Sequence, residues 1–195
     1  MRLVTLDEVP GADGQPLFVD FVNTLHWYEG APIELIGSQP DFAAWVLEHG
    51  LPPTDVTGCL PEIHLLREHV RAATKALAGR RAVPEADMEA LQAALAAPTG
   101  SLQLADPDSA QPHLSFATDA ADLALFSFRI TLSFAAFLRS QQRQRLKLCA
   151  NPGCGFAFLD TSINATRRWC FMRYCGNRLK VRAFRGRQRL GDRAR

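Results

Sequence analysis

Apolar positions along the first 140 residues recur mainly at helical spacing. In the stretch from Pro16 to Trp27, Phe18, Phe21, Val22 and Leu25 fall on one side of a helix. Asp20, Asn23, Thr24 and Trp27 fall on the other, so the pattern predicts one short amphipathic helix through Trp27. A second helix is expected from Phe42 to His49, ended by Gly50 and the Pro52-Pro53 pair. A third runs from about Pro61 to Ala78, with Ile63, Leu66, Val70, Ala73 and Leu77 inward, and Gly79-Arg80-Arg81 closes it. Pro84 opens a fourth, which carries Met88, Leu91 and Leu95. The period then drops to two in Ser101–Leu104 and His113–Phe116. With the turn-rich Asp106-Pro107-Asp108-Ser109 between them, these predict a β-hairpin. From Asp119 to about Arg143 the pattern is a long, very apolar helix, expected at the centre of the domain. Arg129 inside it reads either as a partly exposed or ion-paired side chain, or as a buried charge lining a pocket. No internal repeat interrupts this order.

Charge divides the chain where the helical pattern ends. Residues 1–140 carry 8 Lys and Arg against 18 Asp and Glu, a net of −10, whereas residues 141–195 carry 14 against 2, a net of +12. Such an asymmetry predicts two units with different partners, placed at 1–144 and 145–195. The basic one suits a phosphate-rich surface. A 47% hydrophobic and 22% charged composition is that of an ordinary globular protein. No apolar run approaches the roughly 20 residues that cross a bilayer, and the first residues lack the apolar core of a secretory signal. A cytoplasmic protein with reduced thiols is therefore expected, with no membrane partner.

Four of the five cysteines fall in two close pairs, Cys149-x4-Cys154 and Cys170-x4-Cys175, separated by 15 residues. That is the layout of a structural tetrahedral zinc site, and Ala150-Asn151-Pro152-Gly153 supplies turn chemistry for a tight knuckle. Two disulfides or four independent buried thiols are the alternatives. A tail of this size cannot bury enough apolar surface to fold unaided, which favours the metal. Four thiolates leave no open position for water, and all five histidines lie in the first unit, so a single Zn2+ with a structural and not a catalytic role is expected. Cys59, left over, reads as an inert core thiol. Between the pairs, Gly155–Leu159 is strand-like, Asp160-Thr161-Ser162 a turn, and Arg167-Arg168-Trp169 the expected return strand. A helix follows from near Cys170 or Cys175 through Arg189. Knuckle, hairpin and helix in this order make a treble clef, and the whole chain reads as α+β: a mostly helical N-terminal domain with a small hairpin or sheet, then the treble-clef zinc finger.

On that last helix Arg178, Arg182, Arg185 and Arg189 stand at i, i+4, i+7 and i+11, forming one stripe with Arg167, Arg168 and Lys180 nearby. Like charges at this spacing repel by a few tenths of a kcal/mol each, so the stripe does not serve stability. Contact with the phosphate backbone of DNA is the functional reading of these seven residues. A solvated basic face or an acidic protein partner is the alternative.

Trp169-Cys170, Cys175-Gly176-Asn177-Arg178, Cys149-Ala150-Asn151-Pro152-Gly153-Cys154 and Leu159-Asp160-Thr161-Ser162 together strongly resemble the CGNR-type zinc finger. Leu17–Leu25 resembles the opening motif of the ABATE domain, which precedes that finger in bacterial proteins. The resemblance implies a stress-induced transcription regulator, with zinc on Cys149, Cys154, Cys170 and Cys175 and a recognition segment opened by Gly176-Asn177-Arg178. It implies an N-terminal domain that binds an unidentified ligand. Ile163-Asn164-Ala165-Thr166 departs from the family in being less basic than expected. Gly176 is expected to allow close backbone approach and to offer its amide to a thiolate, and Asn177 either braces the finger or reads a base.

In the first unit, Asp20, Asn23, Thr24 and Trp27 combine an acid, an amide, a hydroxyl and an aromatic, which makes them the candidate small-molecule site. Hydrogen bonds that clamp the helix to its neighbours are the bland reading of the same residues. Neither paired carboxylates nor a nucleophile with a base stands out, so no enzyme is expected. A zinc-stapled protein-interaction adaptor is the alternative to the DNA-binding regulator, and oligomeric state is open, a homodimer included.

Overall fold

Helix α1 (Leu17–Asn23) buries Leu17, Phe18, Val19, Phe21 and Val22, leaving no wet apolar side. A helix apolar nearly all round belongs inside a core, and here α3 (Leu60–Ala78) and α5 (Asp122–Arg139) flank it. The computed structural model describes residues 2–5 by backbone alone, and residues 14–106, 110, 113–178 and 180–181. Phe18 meets Phe134 edge-on at 5.3 Å and Phe137 at 5.2 Å, while Phe21 meets Phe126 at 5.4 Å and Trp45 of α2 (Gln39–Glu48) at 5.9 Å. Such pairs add stability beyond the area they bury. Ser38 caps α2 through the Asp41 amide, and α4 (Glu85–Ala96) covers α3 and α5.

The helix expected to continue through Trp27 ends at Asn23. The Thr24 hydroxyl bonds back to the Phe21 carbonyl at 2.8 Å, and the chain turns out into strand β2 (Leu25–Tyr28), paired with β3 (Ala31–Glu34). The aromatic, β-favouring His26-Trp27-Tyr28 run and the Glu29-Gly30 turn, both residues at positive φ (56° and 87°), explain the switch. The inward side of α3 carries not only Ile63, Leu66, Val70 and Ala73 but also two arginines, 2% exposed each. Arg67 grips both Glu34 oxygens at 2.6 Å and the Thr24 hydroxyl, and Arg71 donates to the Val22 and Leu25 carbonyls at 2.6 Å. These bonds pin the α1–β2 junction to α3. Leu77 is only half-buried, and Cys59 sits half-buried where α3 begins, against the core.

The expected hairpin is present as β4 (Gly100–Ala105) and β5 (His113–Thr118), but β1 (Arg2–Thr5) adds a third strand, giving the antiparallel order β1-β5-β4. Residues 107–109 of the connecting turn lie outside the described residues. Helix α5 stops at Arg139, not near Arg143, because the polar Gln141–Arg145 run has no apolar side to bury and forms a 3-10 turn instead. Arg129 is half-buried in α5 with no ion pair among the described residues, and burial lowers its pKa.

Strands β6 (Leu146–Leu148) and β7 (Ala157–Leu159) form the finger's hairpin, with Leu146 opposite Leu159. The return strand expected at 167–169 is not formed; the partner of β7 is β6, leaving the first cysteine knuckle as the hairpin's loop. Leu146, Ala157 and Leu159 belong to the same apolar core as α1, α3 and α5. No helix among the described residues is long and apolar enough to cross a membrane.

Candidate metal centre

Cys149 follows β6, Cys154 closes the knuckle, and Cys170 and Cys175 come from the segment after β7, Cys175 within a single π-helical turn (Met172–Gly176). All four sulfurs lie within 4.8 Å of one another, and the Cys154–Cys170 and Cys170–Cys175 separations are both 3.7 Å. Zinc–sulfur bonds of about 2.3 Å in a tetrahedron require sulfurs about 3.8 Å apart, so the cage has the size zinc needs. Each ligand is at least 92% buried, the exposures running from 3% to 8%. Bare thiols at this spacing cannot all ionise. Hydrogen bonds from Cys154 and Cys170 hold Cys149 down to about 2, while donating to Cys149 pushes Cys154 up to about 12 and Cys170 upward as well. A divalent cation removes this conflict by drawing four thiolates onto one centre. The set is all-sulfur and closed, which suits one structural Zn2+.

Backbone and amide contacts hold the cage in shape. The Cys149 amide bonds the Phe156 carbonyl at 2.8 Å, and the Cys154 amide bonds the Asn151 carbonyl at 3.0 Å. The Asn151 side chain accepts from the Gly153 amide at 3.3 Å and donates to the Cys175 sulfur at 3.5 Å, tying the two ligand pairs together. Asp160, fully buried, accepts from Lys147 Nζ at 2.6 Å, from the Ser162 amide and hydroxyl, and from the Arg167 amide. Burial opposes its charge, but these donors win and hold the carboxyl below its usual range. This explains the Leu159-Asp160-Thr161-Ser162 motif: Asp160 shapes the loop that returns Cys170 to the metal. The Asp-x-Ser pattern was readable as an Asx turn, but not as the anchor for a lysine 13 residues earlier.

Gly176 sits in the close approach expected of it, but without the expected bond to a thiolate. Its amide bonds the Phe171 carbonyl at 3.3 Å, not a thiolate, and a Cβ there would crowd the Met172 thioether, which would have to move aside, and touch the Trp169 ring at 3.4 Å. Asn177 is exposed, and its side chain makes no hydrogen bond among the described residues.

The basic residues divide by placement. Arg167 turns inward: its guanidinium stacks on Phe158 at 4.5 Å and donates to the Trp169 and Cys170 carbonyls. Arg178 lies 4.2 Å from the Tyr28 ring and 3.2 Å from a Glu29 oxygen, bridging the finger to the β2–β3 turn. Arg168 and Lys180 face solvent, the former over Trp169 at 5.5 Å. Arg182, Arg185 and Arg189 lie outside the described residues.

The four polar residues of the first unit do not share one helical face, because Trp27 stands in β2. Asp20 lies 3.6 Å from His49 Nε2. Asn23 embraces Ala157 of β7, donating to its carbonyl and accepting from its amide, both at 2.9 Å. Thr24 accepts from Arg67. The Trp27 amide bonds the Cys154 carbonyl at 2.9 Å, and its ring covers Gly155, where a Cβ would approach within 2.8 Å at a φ of +71°. Of the four, Trp27 alone borders a cavity of about 230 Å³ that adjoins the sulfur cage, lined by Cys154, Cys170 and Cys175 as well as by the rings of His26, Tyr28, Phe156, Phe171 and Tyr174.

Two family models match the chain in tandem. Residues 15–140 match ABATE, described as "Putative stress-induced transcription regulator", and residues 145–188 match the CGNR zinc finger. No functionally curated protein matches it. With the first match spanning well over half of the 195 residues and the second enclosing the four-sulfur cage, the chain belongs to the ABATE family and carries a CGNR zinc finger after that domain.

Proposed function

We propose that this protein is a zinc-dependent DNA-binding transcription regulator of the cytoplasm, whose finger contacts the phosphate backbone and whose first unit senses a small molecule. The observation that carries the reading is the +12 charge of residues 141–195, together with a four-sulfur scaffold that, among the described residues, leaves Arg168 and Lys180 in solvent. Phosphate contact accounts for uncompensated cations that folding alone does not favour. The assigned role is binding and not catalysis, in keeping with a closed metal shell. A sensed ligand would act where the two units meet, and the aromatic cavity beside Trp27 supports that location. Arg178, held by Tyr28 and Glu29 at its rim, would couple occupancy to the finger.

The test is selection of DNA fragments by the zinc-loaded protein, followed by a salt titration of the selected duplex. Binding that weakens by roughly 0.9 log unit per log unit of salt for each neutralised phosphate supports the reading. A salt-insensitive or absent interaction sinks it. For the sensor, a metabolite screen by thermal shift in which no stabilising compound loses its effect in Trp27→Ala would withdraw the ligand. A second reading, the zinc-stapled adaptor for an acidic protein, draws on Phe171, Met172, Tyr174 and Val181, each about half exposed on the finger. Its partner contact would be less sensitive to salt than a DNA contact.

A further inference from the structure

We propose that the DNA-contacting surface extends beyond the finger onto the end of α3 and the adjoining 3-10 turn, where Arg80, Arg81 and Arg143 meet phosphates in line with Arg168. The inference rests on the DNA-binding reading above and adds residues that the charge pattern assigns to the acidic unit. Residues 1–140 hold only 8 Lys and Arg, and two of these stand adjacent at the exposed end of α3, beside the finger. Arg80, Arg81 and Arg143 line one hollow with Leu77 and Gln144. The neighbouring hollow runs from Ala78 and Gly79 to Ala150 and Arg168. The other two cations lining that second hollow, Lys147 and Arg167, are turned inward by the bonds described above, so Arg168 is its outward charge. Three separate elements thus bring four exposed arginines to one face, and none of the four has a carboxylate within ion-pair distance among the described residues.

The bland reading is that cations at a helix C-terminus complement its dipole. That covers Arg80 and Arg81, and Arg143 stands in the last turn of a five-residue 3-10 segment whose dipole is small, but the dipole does not cover Arg168. It also fails to explain the residue chosen at position 80. Arg80 holds a φ of +54°, just past the Gly79 cap, where glycine or asparagine would sit without strain. A side chain kept in a left-handed position works against folding, so its charge serves something else. Guanidinium groups are suited to phosphate oxygens by their paired, planar donors. The face continues into the finger, because the Ala150 amide bonds the Arg168 carbonyl and Arg168 lies over Trp169, which packs against Gly176. A duplex lying on the finger would therefore run across the end of α3.

The experiment compares the zinc-loaded full chain with R80G/R81Q/R143Q, and with Lys180→Ala as a finger control, by fluorescence anisotropy of a mixed-sequence duplex across a salt series. Arg80→Gly relieves the left-handed position and the other two side chains are exposed, so the variant keeps the melting temperature of the parent. The expected result is a log K against log salt slope flatter by about 2 to 3 units, with affinity lowered at least tenfold at low salt and equally on unrelated sequences. An unchanged slope in the triple variant, with Lys180→Ala flattening it, overturns the extended surface and leaves the DNA-binding finger standing. Absence of salt-dependent DNA binding by the parent overturns both.

Discussion

Asn23→Ala is the substitution that most directly tests how the finger is joined to the rest of the molecule. Asn23 is 5% exposed and makes two hydrogen bonds of 2.9 Å to the backbone of Ala157, which is itself fully buried. The amide reproduces the donor and acceptor pair of a neighbouring strand, so β7 is satisfied on the side where no third strand runs. Alanine removes both partners at once and leaves an amide and a carbonyl orphaned inside the core. Each orphan costs about 1–3 kcal/mol, and water entering the vacated space recovers part of that, which gives about 2–4 kcal/mol in all. For a chain of this length 1 kcal/mol moves the melting temperature by about 2–4 °C, so a drop of about 4–16 °C is expected. Urea denaturation of the zinc-loaded protein, followed by helix circular dichroism and by zinc release to a chromogenic chelator, reads both units. The two signals are expected to move together, since β6 and β7 share the core of α1, α3 and α5. Asn23→Asp, which keeps an acceptor but loses the donor and faces a carbonyl, is also expected to destabilise. A loss below about 0.5 kcal/mol in Asn23→Ala, or zinc release at a separate midpoint from helix loss, would refute the reasoning.

Three further outcomes follow from the structure. One zinc per chain is expected by elemental analysis, and its removal by a strong chelator should lower the melting temperature of the helices by at least about 10 °C, because metal binding here is folding free energy; an unchanged helical melt would contradict the shared core. Asp160→Asn should cost about 1.5–3 kcal/mol at pH 7 through its charged bonds to Lys147 and the Ser162–Arg167 loop. Because the folded carboxyl titrates below its usual range, that contribution is present above about pH 4 and is lost as pH falls through the folded value, so a parent and variant with identical acid profiles would exclude it. His49 spends one ring nitrogen on the Trp45 carbonyl at 2.8 Å and directs the other at Asp20. Burial opposes its protonation, but Asp20, the Trp45 carbonyl and Glu48 together outweigh it and raise the pKa, so the pair stabilises fully below about pH 6.5 and fades as pH rises through the folded value. A histidine titration by NMR in which Asp20→Asn leaves the His49 midpoint unmoved would disprove the pairing.

The four cysteines were legible because metal ligation imposes a spacing that survives into any fold, and the turn residues between Cys149 and Cys154 announce the knuckle. The third helix was legible almost to its ends for a similar reason: a single apolar stripe over 19 residues admits few alternatives. Position 27 was not legible. Trp27 fits the 3.6-residue period of α1, yet the Thr24 bond to Phe21 and the Glu29-Gly30 turn end the helix first. Arg67 and Arg71 were missed because their burial depends on Glu34 and on the Val22 and Leu25 carbonyls, 33 to 49 residues away. Arg167 illustrates the same limit, since only a ring at Phe158 and two carbonyls decide that it faces in while Arg168 faces out.

By itself the sequence determined the helical periods, the division of charge and the ligand set of the metal, because each is a property of spacing or composition. The tertiary structure alone decided that the finger's hairpin completes the core of the first unit, that Asn23 serves as its strand edge, and that Arg80 and Arg81 stand beside Arg168. Those facts depend on which distant surfaces meet, and a pattern of period 2 or 3.6 describes only what one segment offers, not what it is pressed against.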